Sequence, residues 1–156
     1  YSPDDAKKLL KKFAKILGKK NFLVIGVDLT KDIEVLEKAY NDSEGVTAAF
    51  NKNILNGVNK ICGAIFDVKD FSHKAFFNKK ESRIEMHLVS KKSQIVDVLD
   101  TQIHLKEGET IHTENSYKYS IDRFTDLVES SNFKIIKVFK DKKSFFGVFL
   151  LKVNSI

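Results

Sequence analysis

The chain has 156 residues, 42% hydrophobic and 31% charged, with thirteen Phe, one Cys and a formal net charge of +6. These are globular values for a single domain, which at this length buries roughly 70% of the surface its unfolded chain exposes. With Cys62 alone, no internal disulfide is possible, no Cys or His cluster has zinc spacing, and no apolar run is long enough to span a bilayer. The balance fits a reducing, cytoplasmic setting with no metal site. The positive charge comes from lysines spread along the chain, including the pairs Lys7-Lys8, Lys79-Lys80 and Lys142-Lys143. No aromatic-and-basic signature accompanies them, so they read as solvated helix faces and loop tips rather than a nucleic-acid site.

Ser2-Pro3-Asp4-Asp5 predicts a helix start, since Ser accepts a bond from a free first-turn N–H, Pro suits the first position and acids suit the positive end of the dipole. Ala6, Leu9, Leu10, Phe13, Ile16 and Leu17 then form one apolar face, and Gly18 ends it. Charges interrupt every apolar run and no small-residue cleavage site follows, so this is a helix and not a signal peptide. "NFLVIGVDL", Asn21 to Leu29, predicts a strand covered on both faces, which needs neighbouring strands.

"TKDIEVLEKAYND" and "SEGVTAAFNKNILNGVNKIC" predict two helices, the second with Val46, Phe50, Ile54, Val58 and Ile61 on its apolar side. Four strand candidates follow Gly63: "FSHKAFFN", "SRIEMHLVSKKSQIVDVL", "TQIHL" and "ETIHTENSYKY". Ser120 to Ser130 then reads as a helix with Ile121, Phe124, Leu127 and Val128 inward. "FKIIKVF" and "SFFGVFLLKV" flank the turn Lys140 to Lys143 as a hairpin that can pair with the early strand. The fold class is therefore α/β, with residues 1–29 and 120–156 sharing one sheet and residues 30–119 forming a separate α+β lobe.

The stretch "ETIHTENSYKYS" alternates, with Ile111, Thr113, Asn115, Tyr117 and Tyr119 on one face and His112, Glu114, Ser116 and Lys118 on the other. Glu114 and Ser116 lie about 7 Å apart along the strand, and a carboxylate beside a hydroxyl suits a ligand such as an imidazole or an ammonium. The competing reading is the solvated face of an antiparallel sheet. His87 and His112 read as solvent-facing strand residues, Cys62 as a small buried hydrophobe, and Met86, alternating with Ile84 and Leu88, as core. Tyr40 reads as an amphipathic residue at a helix end. Asp28 lies where α/β sheets place ligand contacts, and a capping or loop role is equally open to it.

Taken together, "GVDLTKD", "AYNDSEGVTAAFNKNIL", "ESRIEMHLVS" and "GETIHTENSYKYS" give the chain a resemblance to the C-terminal half of the histidine-specific S-adenosylmethionine-dependent methyltransferases. That family includes the ergothioneine-pathway enzyme that trimethylates the α-amino group of histidine. The resemblance implies the C-terminal part of a Rossmann-like methyltransferase sheet with an inserted substrate-binding lobe. It also implies that Glu114 and Ser116 hold the substrate imidazole, that Tyr40 helps bind its carboxylate, and that Met86 lines the imidazole pocket. No dedicated base is evident.

In the family pattern the glycine-rich donor loop, the acidic ribose-binding residue and a substrate-binding Asn precede the segment that Tyr1-Ser2-Pro3 matches. None of the seven glycines forms a G-x-G turn between a strand and a helix. The expectation is a piece of a longer enzyme whose S-adenosylmethionine is held mainly by the missing half, and which alone does not methylate. Two alternatives stand beside it: a family member acting on another amine, and a non-catalytic binding module. Oligomeric state stays open, because an incomplete sheet exposes an edge.

Overall fold

In the computed structural model, which describes residues 1–154, Ser2 Oγ accepts the Asp5 N–H at 3.1 Å and Pro3 opens α1 (Pro3–Leu17). Gly18, at a φ of 70°, ends α1 by donating its N–H to the Ala14 carbonyl. Hydrophobic alternation places the next element: β1 (Phe22–Asp28) turns Leu23, Ile25 and Val27 inward. At the far end of the sequence Ser120 Oγ caps α4 (Ile121–Glu129) through the Arg123 N–H, and β7 (Phe133–Lys140) and β8 (Phe146–Val153) follow.

These elements form a three-stranded sheet in the order β1-β8-β7. β1 runs antiparallel to β8, placing Leu23 against Leu151 and Ile25 against Phe149. The helices α1 and α4 contribute Leu10, Ala14, Phe124, Leu127 and Val128 to a core that includes Phe133, Phe149, Leu151 and Val153. The two ends of the chain thus share one sheet, as the sequence predicts. The early strand departs from its expectation: β1 is an edge strand with only one covered face. Phe22 at 51% and Val24 at 64% exposure project from the other face, beside exposed Phe139 and Phe146. Continuous apolarity in β1 therefore marks two apolar faces of which one is buried. At Gly26 an added Cβ would lie 2.7 Å from the tip of the exposed Phe146 ring, which would have to swing aside.

The intervening chain builds α2 (Ile33–Tyr40), α3 (Val46–Cys62), β2 (Phe71–Asn78), β3 (Arg83–Ser90), β4 (Gln94–Val98), β5 (Thr101–Leu105) and β6 (Thr110–Tyr117). β2, β3 and β6 form a sheet in that order, and β4 and β5 pair as an antiparallel hairpin. Five strands thus replace the four expected, because "SRIEMHLVSKKSQIVDVL" breaks after Ser90, whose hydroxyl donates to the Lys92 carbonyl and accepts from Gln94.

Asp42 caps α3 by accepting the Val46 and Thr47 N–H groups at 2.8 and 2.9 Å. The Thr47 hydroxyl and N–H, with the Val46 N–H, hold the Asp42 carboxyl down from 3.8 to about 2. The buried side of α3 is not the predicted one. Val46, Phe50, Ile54 and Ile61 are exposed, whereas Asn51 and Leu55 are buried at 3% and 2% exposure. Leu55 packs with Phe66, Phe71, Leu88, Val96 and Leu105, and Val58 packs against them. A second small cluster joins Leu36 of α2 to Ala75, Ile84 and Met86.

The chain divides into two units, one of Tyr1–Asp32, Lys79–Arg83 and Ser116 onward, the other of Ile33–Asn78 and Ile84–Asn115. Among the described residues no helix is long and apolar enough to cross a membrane.

Candidate functional site

In the second unit, the helix-covered face of the sheet carries two of the residues singled out from sequence. Met86 is 3% exposed in the cluster with Leu36 and Ile84, and Tyr40, at the end of α2, packs against that cluster. A buried polar network runs beside them. Asn51 Nδ2 lies 3.0 Å from His73 Nδ1 and donates to the His87 carbonyl at 3.2 Å, while Asn51 Oδ1 accepts from Thr113 Oγ1 at 2.6 Å. His73 Nε2 lies 2.8 Å from the Tyr40 carbonyl, and Thr113 Oγ1 lies 2.9 Å from that of Met86.

Tyr40 is held further by its neighbour. Asn41 Nδ2 donates to the Ala75 carbonyl at 3.0 Å and Asn41 Oδ1 accepts the Ala75 N–H at 3.2 Å, so one side-chain amide pairs with the β2 backbone as a strand would. Glu37 accepts the Phe77 N–H at 2.9 Å. The end of α2 is therefore fixed to β2 at His73, Ala75 and Phe77 in turn.

Glu114 is exposed, and because Thr113 faces α3, strand alternation turns Glu114 to the opposite face of the sheet from Met86. On that face the rings of Phe76, His87 and His112 stack, with centroids 5.3 and 4.4 Å apart. His112 Nε2 lies 3.2 Å from the Glu114 carbonyl, and His87 Nε2 lies 3.3 Å from Glu85 Oε2. His87 is thus not the solvent-facing residue expected; its side chain is 13% exposed, held between two rings. Glu85, His87 and His112 bring three possible metal-ligand atoms within 4.8 Å of one another. Their geometry does not suit one ion, because the two imidazoles are only 13° from parallel and their in-plane lone pairs cannot converge.

Ser116 belongs to the first unit, where its oxygen accepts from Lys118 Nζ at 2.6 Å. Lys118 was expected on a polar strand face, but β6 ends at Tyr117 and the Lys118 side chain is fully buried. Its ammonium lies 3.1 Å from Asp28 Oδ2, and Lys31 lies 2.6 Å from Asp28 Oδ1. Main-chain bonds bring these groups together: the Tyr119 N–H donates to the Asp28 carbonyl and the Thr30 N–H to that of Tyr119. A buried ammonium is stable only when paired, and Asp28 and Ser116 supply its partners. Sequence gave no sign of this, since neither residue's spacing reveals the other. Cys62, expected to be buried, is partly exposed at the end of α3.

The glycines do not build a donor cradle. Gly26 and Gly147 lie inside strands against Phe146 and Phe149, and Gly18, Gly45 and Gly63 bound helices.

Residues 1–153 match the model of a family described as histidine-specific methyltransferase, SAM-dependent. The chain is 41% identical over 120 residues to the histidine N-alpha-methyltransferase of Mycolicibacterium smegmatis, covering 76% of this chain and 37% of that protein. It is 34% identical over 151 residues to the protein of that name from Mycobacterium tuberculosis, covering 96% of this chain and 47% of that one. The chain thus spans less than half the length of these curated relatives. Among solved structures, the CcbJ methyltransferase of Streptomyces caelestis shares the fold at 8% identity, with a TM-score of 0.50 over 99% of this chain and 52% of that one.

Proposed function

The chain belongs to the histidine-specific, SAM-dependent methyltransferase family, and from that premise we propose that it is the substrate-recognising part of a longer enzyme that methylates the α-amino group of L-histidine. Glu114 and Ser116 hold the imidazole and Tyr40 binds the carboxylate; Met86, which the resemblance puts in the imidazole pocket, lies on the other face of its sheet from Glu114 and packs with Leu36 and Ile84 instead. The match over residues 1–153 carries this reading, and the resemblance of "GETIHTENSYKYS" to the family pattern supports Glu114 and Ser116 as the imidazole contacts.

The division of labour follows from the residues present. S-adenosylmethionine supplies an electrophilic methyl group when bound, and the remainder of the longer protein binds it, since among the described residues no glycine builds a fitting cradle. What this chain contributes is position: a carboxylate and a hydroxyl orient the ring, a phenol orients the carboxylate, and the amino nitrogen is left in a fixed place. Recognition by buried or charged hydrogen bonds also rejects amino acids whose side chains cannot answer them.

The test is mass spectrometry of the products when the longer protein is incubated with S-adenosylmethionine and histidine. Methylated histidine is expected, and Glu114→Ala is expected to lower kcat/KM for histidine about 10- to 100-fold, the usual worth of a hydrogen bond to a charged group. The chain of 156 residues by itself is expected to give none. Absence of methylated histidine from a folded protein that binds the donor would overturn the assignment and direct the search to other amines.

A further inference from the structure

Asn51 stands where a helix buries apolar residues, and at 3% exposure its amide cannot be served by bulk water. Burying an amide is costly unless its groups are bonded, and here both N–H groups and the oxygen are directed at protein partners. The partners fix the protonation pattern. The Tyr40 carbonyl only accepts, so His73 carries its proton on Nε2; His73 Nδ1 is then the acceptor that Asn51 Nδ2 requires. The result is a neutral chain of bonds from Thr113 through Asn51 and His73 to Tyr40.

Its end points coincide with the recognition residues. Thr113 precedes Glu114 in β6 and reaches the Met86 carbonyl, and the other end terminates on the Tyr40 carbonyl. That carbonyl belongs to the last turn of α2, where the helix itself provides no donor. We infer that Asn51 and His73 are positioning residues for substrate recognition: they hold the strand that carries Glu114 and the helix end that carries Tyr40 in one fixed relation. The inference rests on the reading of Tyr40 as the carboxylate contact. Asn51 and His73 need not touch substrate; they act through Tyr40.

The experiment is a double-mutant cycle in the longer protein with histidine varied and donor saturating. His73→Phe is expected to lower kcat/KM for histidine about tenfold, the scale of one buried hydrogen bond, with KM for S-adenosylmethionine unchanged. His73→Gln, whose amide N–H can reach the same carbonyl, is expected to recover most of that loss. In a Tyr40→Phe background, His73→Phe is expected to add less than about twofold, because the group it positions is already gone. A full tenfold further loss in that background would show a structural role and overturn the inference. If Tyr40→Phe alone leaves histidine kinetics unchanged, the carboxylate reading fails and the inference falls with it, a result distinct from failure of the cycle. Should His73→Phe not fold, Thr113→Val removes the other end of the chain at constant volume, and unchanged histidine KM in that variant would equally overturn it.

Discussion

The two units solve the problem of a unique interior differently. The first covers one face of β1-β8-β7 with α1 and α4, over a continuous apolar cluster whose only buried charge, among the described residues, is Lys118. The second splits its apolar volume into two small clusters and runs a neutral polar network, through Asn51 and His73, alongside them. An apolar interface tolerates small shifts, because contact energy is spread over many atoms. A satisfied hydrogen-bond network does not, because each group has a donor or acceptor waiting at one place. The unit carrying Tyr40, Met86 and Glu114 is thus the one fixed by directional bonds.

This contrast can be attacked at its most expensive point first. Lys118→Met removes the buried ammonium and leaves Asp28 and Ser116 without it; unfolding in urea is expected to show a loss of about 3 kcal/mol, the lower end for breaking a buried pair because Lys31 still serves Asp28. A loss below about 1 kcal/mol would mean that the first unit does not depend on its charge pair. In the second unit, Leu55→Ala is expected to cost about 2–3 kcal/mol, whereas Phe50→Ser on the exposed side of α3 should stay within about 0.5 kcal/mol. Reversed values would restore the sequence-based face and remove the basis for a buried Asn51. The smallest effect concerns Asp42→Ala. Because hydrogen bonds hold the folded carboxyl at about 2, below its ordinary 3.8, the stability it contributes is complete above the higher value and lost as pH falls toward the lower. The melting temperature of the variant should therefore lie below that of the parent at pH 7, and the two should converge as pH approaches 2.

Local signals made much of the fold legible. Ser2, Pro3, Gly18 and Ser120 mark helix ends because their chemistry acts on neighbours within a few residues, and those ends stand where the residues predict. The face of α3 was not legible. It has apolar residues on two sides, and the choice is made by Asn51, whose partners His73, His87 and Thr113 lie 22, 36 and 62 positions away. A polar residue in a helical pattern ordinarily marks the solvent side, so Asn51 hid the buried side by occupying it. Lys118 was misplaced for the same reason: the alternation of β6 runs on through it, and only the bonds between Tyr119 and β1 reveal that the strand has ended. Glu114, Ser116 and Tyr40 come together as a set only through family resemblance; the spacing of Glu114 and Ser116 alone favours an exposed strand face.

The amide of Asn41 has one more effect. By offering an oxygen to the Ala75 N–H and a nitrogen to its carbonyl, it occupies part of the β2 edge at which another polypeptide would otherwise add. β1 has no such guard: it ends its sheet with Phe22 and Val24 more than half exposed. If this polypeptide is isolated at high concentration, self-association should begin at β1 and spare β2, so the aggregate would retain a folded lobe.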